Sequence, residues 1–190
     1  LLNDYFGIRL TAIMNINIGE INNDFSCFTS AWKMYLYEAC IACLKRKEHD
    51  YNGTILTIIT EETMYAELRW DDIFDDQIDR THNEQNRATE CGAECLAILL
   101  ISKLSEFTIV KKTAGKNGFD YWLAKKDDVL FKEAARLEIS GLFEGTNKMI
   151  DDRYNSKIKQ TKISDYLKMP AYVVIIEFSN PKAKYGKRGN

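Results

Sequence analysis

The chain has 190 residues, of which 45% are hydrophobic and 28% charged, and a net charge of −2. That length is enough to bury a sizeable core, and the composition is that of an ordinary globular protein. The near-neutral balance gives no global basic field of the kind that advertises nucleic acid, although a local basic patch is compatible with it. No run of about 18 apolar residues reads as a membrane span.

The opening stretch, LLNDYFGIRLTAIM, has Asp4 and Arg9 inside any apolar core and no small-residue cleavage site after it, so it does not read as a secretion signal. Met14 is a candidate native start, with the residues ahead of it vector-derived or translated from upstream. From about Ser26 to Lys47 the chain carries Trp32, Tyr35, Leu36, Ala39 and Cys43 at helical spacing. YNGTILTIIT and MYAELRW then read as two strands joined by a short acidic turn, a hairpin.

The segment from Asp71 to Ser105 is predicted helical in two pieces, with a break near Thr81–Asn83. Asp71, Asp72, Asp75, Asp76 and Asp79 sit at its beginning, where the helix dipole favours acids, and read as a solvated face. Ala93, Leu96, Ala97, Leu100 and Leu104 form an apolar face that predicts packing against a sheet. Three strand candidates follow, FTIVKKT, GFDYWLA and ARLEISG, with GKNG as the first turn; its spacing is not that of a phosphate-binding loop.

A polar helix is predicted from about Asn147 to Lys162, and after it AYVVIIEF, whose unbroken apolar run predicts a strand buried on both faces. The tail SNPKAKYGKRGN is polar and basic and reads as frayed, with Lys182, Lys184, Lys187 and Arg188 in solvent. Without repeats or linkers, residues 1–190 read as a single α/β domain with a mixed sheet and helices on both faces. Residues 1–80 would be an N-terminal helix and hairpin, and 84–180 the core.

The five cysteines are an odd number in a chain without a secretion signal, which predicts reduced thiols and a cytoplasmic location. CIAC and CGAEC have zinc-like spacings, but both lie in helical, apolar surroundings where Cys acts as a small core residue. His49 and His82 stand alone in sequence and are assigned no catalytic role.

The chemistry-bearing residues are Glu90 and Glu94, four apart in the long helix; Asp120 in GFDYWLA; Glu138 in ARLEISG; and Lys157 and Gln160, three apart in the polar helix. A single acid among apolar strand residues is costly unless it is paired, hydrogen-bonded or bound to a cation. In this order the residues resemble the PD-(D/E)XK, or restriction-endonuclease-like, nuclease superfamily over about Arg87 to Phe178. More closely, ATECGAE, GFDYWL, ARLEISG, KIKQTK and PAYVVIIEF are similar to a group of uncharacterised bacterial proteins, with likeness reaching into AWKMYLYEACIACLKRKEHD.

The resemblance implies a restriction-endonuclease-like αβββαβ core. It also implies Mg²⁺ or Mn²⁺ held by Asp120 and Glu138 with Glu90 in support, Glu94 being the nearest alternative to Glu90. Lys157 and Gln160 complete the implied catalytic set. Such chemistry needs a hard cation with positions open to water and phosphate, and a positive side chain facing the transition-state charge. The implied function is a nuclease, or a nuclease-fold subunit of a bacterial nucleic-acid-processing or antiviral defence assembly. The implied partners are nucleic acid, DNA ahead of RNA, and a partner protein subunit.

One position departs from the pattern. The superfamily has Lys two residues after the strand Glu, and here that residue is Ser140. In some members the lysine has moved to the neighbouring helix, and Lys157 is the candidate. Alternatively Arg136, on the same strand face, pairs with Glu138, and the fold serves as a catalytically inactive binding or assembly subunit.

Overall fold

The computed structural model describes residues 13–189 apart from 24, 26, 116, 129 and 131. The expectations for the first twelve residues and for Ser26 lie outside the described residues. The first half contains β1 (Met14–Asn17), α1 (Glu20–Asn23), α2 (Ser30–Arg46), β2 (Thr54–Ile59), β3 (Thr63–Arg69) and α3 (Asp76–Thr81). The second contains α4 (Gln85–Leu104), β4 (Phe107–Lys112), β5 (Tyr121–Lys125), β6 (Ala135–Leu142), α5 (Asn147–Gln160), a 3-10 helix (Thr161–Leu167), β7 (Ala171–Glu177) and β8 (Lys182–Arg188). The protein is α/β, with five α-helices among the described residues and one mixed sheet of eight strands in the order β1-β3-β2-β8-β7-β6-β5-β4.

β7 lies well inside the sheet and all seven of its residues are buried, which is why AYVVIIEF shows no alternation. It pairs parallel with β6, a connection that needs a crossover, and α5 supplies it. α4 packs on one sheet face against Leu137, Ile139, Val174 and Ile176, and α5 covers the other against Leu142, Val173 and Ile175. Thr146 caps α5 at the Met149 N–H, and Glu84 caps α4 at the Asn86 and Arg87 N–H groups.

Several expectations change. α4 was predicted to bury one face, yet Cys95, Leu96, Ala97, Ile98, Leu99, Leu100 and Ile101 are all buried, because α2 stacks on its outer side. Cys40, Cys43, Cys91 and Cys95 lie between these two helices, fully buried, and burial pushes the Cys43 thiol up to about 12 and that of Cys91 to about 11. α3 starts only at Asp76 with Asp75 as its cap, so Asp71 and Asp72 precede the helix; Asp71 instead bonds the Tyr37 hydroxyl. α5 ends at Gln160 and tightens into the 3-10 helix rather than running to Lys162. The strand β1 and the short α1 had no counterpart in the sequence reading, since four residues, MNIN, carry too little pattern.

The largest correction concerns the tail. Residues 182–188 are not frayed: β8 pairs antiparallel with β7 and parallel with β2, joining the hairpin half of the sheet to the rest. Its alternation is present but masked by charge. Ala183 and Tyr185 face the α4 side, while Lys182 and Lys184 face the other and reach Asn147 and Asp151 on α5.

Gly141 sets how closely α4 approaches β6. A Cβ there would lie 2.5 Å from the Thr89 carbonyl oxygen, a backbone atom in a buried helix that has little freedom to move. Gly141→Ala is expected to destabilise the protein by roughly 1–3 kcal/mol, as overpacking does. The check is urea unfolding: the midpoint should fall with the slope unchanged.

Candidate functional site

β5 and β6 pair from Leu123↔Ala135 to Tyr121↔Leu137 and then part. At the parting point stands Asp120, just ahead of β5 rather than inside a strand as predicted. Its backbone still bridges both neighbours, its N–H donating to Leu137 O at 2.8 Å and its carbonyl accepting from Thr113 N–H at 2.7 Å. The next β6 donor, the Ile139 N–H, finds no strand carbonyl and donates to Asp120 Oδ2 at 2.8 Å. A short acidic side chain can replace the backbone in this way, so the residue that ends the ladder is also aimed across it. Gly118, at φ +77°, turns the chain into this position; a Cβ there would come within 2.5 Å of Gln160 O, so the turn is pressed against the end of α5.

Glu138 lies opposite, on the α5 side of β6, and is 1% exposed. Its Oε1 accepts from Lys157 Nζ at 2.5 Å and from Gln160 Nε2 at 2.8 Å. The i, i+3 spacing on α5 puts both donors on the sheet-facing side. Among the described residues its Oε2 is buried with no hydrogen-bond partner. Burial first, and then the adjacent Asp120 charge, raise the Glu138 carboxyl to about 7 against the lowering pull of Lys157. Burial likewise raises Asp120, opposed by the Ile139 N–H and by Lys157.

In front of these acids is a cleft of about 340 Å³. α4 supplies one wall with Arg87, Glu90 and Glu94, and β4 adds Lys112. The floor is Asp120, Ile139 and Ser140, and α5 closes the other wall with Arg153 and Lys157. Of the five predicted site residues, Asp120, Glu138, Lys157 and Gln160 come together. Glu90 is exposed on the far wall, while Glu94, buried deeper and bonded to Lys112 and the Tyr121 hydroxyl, is the α4 acid whose charge reaches Asp120. Among the described residues, no three His, Cys, Asp or Glu side chains converge into a group that could hold a metal by themselves.

Arg136 does not pair with Glu138. It is 2% exposed and donates to Thr161 O, Ser164 Oγ and Met169 O, tying β6 to the 3-10 helix. His82 is buried with Nε2 3.4 Å from Glu38, away from the cleft, and burial lowers its pKa. Arg153 went unremarked in the sequence. It lies one helical turn before Lys157 and donates to Ser140 Oγ at 3.0 Å, at the very position where the superfamily pattern has lysine. The i, i+4 spacing from Arg153 to Lys157 was the available signal.

Comparison of the chain with protein-family models, curated proteins and solved structures found no match.

Because folding raises the Glu138 carboxyl from 4.5 to about 7, the folded state holds this proton more tightly than the unfolded chain. The resulting stabilisation is fully present below about pH 4.5 and is lost as pH rises through about 7, on the order of 3 kcal/mol. In metal-free buffer, Glu138→Gln should therefore gain on the wild type between pH 5 and pH 8. Urea midpoints at the two pH values check it, and a difference that is flat in pH would contradict the assignment.

Proposed function

We propose that the protein is a metal-dependent phosphodiesterase acting on nucleic acid, of the restriction-endonuclease-like type, working alone or as the nuclease subunit of a bacterial nucleic-acid-processing or defence assembly. The observation that carries this reading is the acid pair at the parting of β5 and β6: Asp120 facing a buried Glu138 whose Oε2 has no partner among the described residues. An unpaired buried carboxylate oxygen beside a second acid is costly unless a proton stays on one of them or a cation joins them. Element order also supports it. A helix, a three-strand antiparallel meander, a crossover helix and a parallel fourth strand correspond to α4, β4–β6, α5 and β7.

The donor set fits Mg²⁺ or Mn²⁺ rather than zinc. Mg²⁺ takes one or two carboxylates and keeps several waters, so Asp120 and Glu138 would hold it, and Glu94 and Glu90 would be the further acids on the α4 wall. When bound, such an ion polarises a phosphate oxygen and lowers the pKa of an attacking water. The chain's own groups do the rest. Lys157 and Gln160 fix the Glu138 carboxylate through Oε1, leaving Oε2 toward Asp120. Arg153, anchored on Ser140, and Arg87 and Lys112 on the opposite wall supply the positive charge that a phosphate entering the cleft needs.

A second reading has its own observation. The Glu138–Lys157 ion pair already neutralises the acid, as it would in a catalytically inactive binding or assembly subunit. The two readings differ in what divalent ions do. For the enzyme, millimolar Mg²⁺ should raise the melting temperature of the wild type and leave Glu138→Gln unmoved; for the inactive subunit, neither responds.

Cleavage is the direct test. With Mn²⁺, the full chain should cut a nucleic-acid substrate, and Asp120→Asn or Glu138→Gln should slow it about 100-fold or more while the protein stays folded. Lys157→Ala is expected to lose activity, and Ser140→Lys to restore part of it by returning an ammonium to the strand beside Glu138. An intact rate in the Asp120 and Glu138 variants would end the proposal.

A further inference from the structure

Resting on the nucleic-acid reading above, we infer that the cleft takes a single-stranded polynucleotide and that an unpaired base stacks at Trp32 on its rim. The feature that points there is the position of Lys112. Its ammonium lines the cleft, is anchored by both Glu94 oxygens at 3.0 and 3.2 Å, and stands 5.1 Å from the Trp32 ring centroid. One cation thus belongs both to the cleft wall and to an aromatic face. Trp32 is half-buried and stacks on Tyr35, with centroids 5.8 Å apart and planes at 16°. Tyr35 in turn lies near enough to Arg87 of the same cleft wall to act on its charge.

Lys112 is therefore a phosphate-seeking group set beside an aromatic ring, and Arg87 is a second one on the same wall. A phosphate that draws the Lys112 ammonium off the indole leaves that face to the base of its own nucleotide. Stacking there accepts any base, because every base offers a π face, and Arg and Lys on phosphate carry no sequence information. In a duplex that base is paired and stacked on its neighbours and does not reach the ring without being extruded. On the opposite wall Arg153 offers a seat for another phosphate, so the strand crosses the cleft over Asp120.

The test measures binding apart from cleavage. Fluorescence anisotropy in EDTA would follow the full chain binding a labelled oligonucleotide of about 12 residues, within the site sizes of such proteins. Three forms of one sequence are used: single-stranded DNA, single-stranded RNA and a blunt duplex. Tight binding of either strand, at least about tenfold over the duplex, supports the inference, and the tighter strand identifies the sugar. Trp32→Ala should weaken strand binding roughly fivefold to a hundredfold. Trp32→Phe should recover most of this, and duplex binding should not move in either variant.

Equal affinity for strand and duplex in the wild type overturns the inference without any variant. So does unchanged strand affinity in a folded Trp32→Ala. Cleavage with Mn²⁺ is then read separately. Strands that bind at Trp32 and are not cut sink the nuclease reading and leave this one standing, whereas duplex bound as tightly as strand, and cut, does the reverse. No binding of any form ends both.

Discussion

A carboxylate that is 1% exposed cannot sit in the middle of a sheet without partners, and that constraint organises the second half of this protein. Glu138 is met by Lys157 and Gln160, so α5 has to cross β6 at that height, with its polar side toward the strand. That crossing brings the helix end against Gly118, and Gly118 delivers Asp120 to the point where β5 leaves β6. The apolar contacts of Ile150 with Val173 and Ile175 hold the helix down, but they do not choose its register. The charged group does, and the open end of the β5–β6 pair follows from it.

Much of this was legible in the sequence, for physical reasons that differ between elements. β7 announced itself because a strand covered on both faces has no polar positions, and α2 and α4 because their apolar residues repeat at helical spacing. The site residues were legible because isolated acids in apolar runs are rare enough to ask for a partner. β8 was hidden because its outward lysines are matched on α5, Lys184 by Asp151 and Lys182 by Asn147, which makes an internal strand look like a solvated terminus. Arg153 was hidden for the opposite reason: an exposed helix arginine looks like any other until the chain folds it onto Ser140. Where Arg136 points was undetermined as well, since two of its partners are the backbone carbonyls of Thr161 and Met169, in and just after a 3-10 helix whose local geometry the sequence does not encode plainly.

The cleft is electrically mixed rather than uniformly positive, which reconciles it with the net charge of −2. Arg87, Glu90, Glu94 and Lys112 share one wall, Asp120 lies on the floor, and Arg153 and Lys157 stand on the other wall. Several of these charges are already tied to one another, as Lys112 is to Glu94 and Lys157 to Glu138, so their positions are set before any ligand arrives. Preorganised polar groups of this kind need little rearrangement when charge develops between them. The two walls belong to helices on opposite faces of the sheet, so the strand ends of β5 and β6 act as a narrow bridge between them.

The position of β8 in the sheet has a consequence for how the molecule comes into being. β2 and β3 emerge early from the ribosome, and β4 to β7 much later, yet neither group is bonded directly to the other; β8 lies between β2 and β7 and is synthesised after both. Until it appears, β2 and β7 each present an unpaired edge, one of them almost wholly apolar. Pairings between such distant parts of a chain form slowly, and exposed strand edges of this kind recruit other chains. The nascent protein therefore passes through a stage in which its most adhesive strand waits for a lysine-rich one, and chaperone demand should be greatest in that interval.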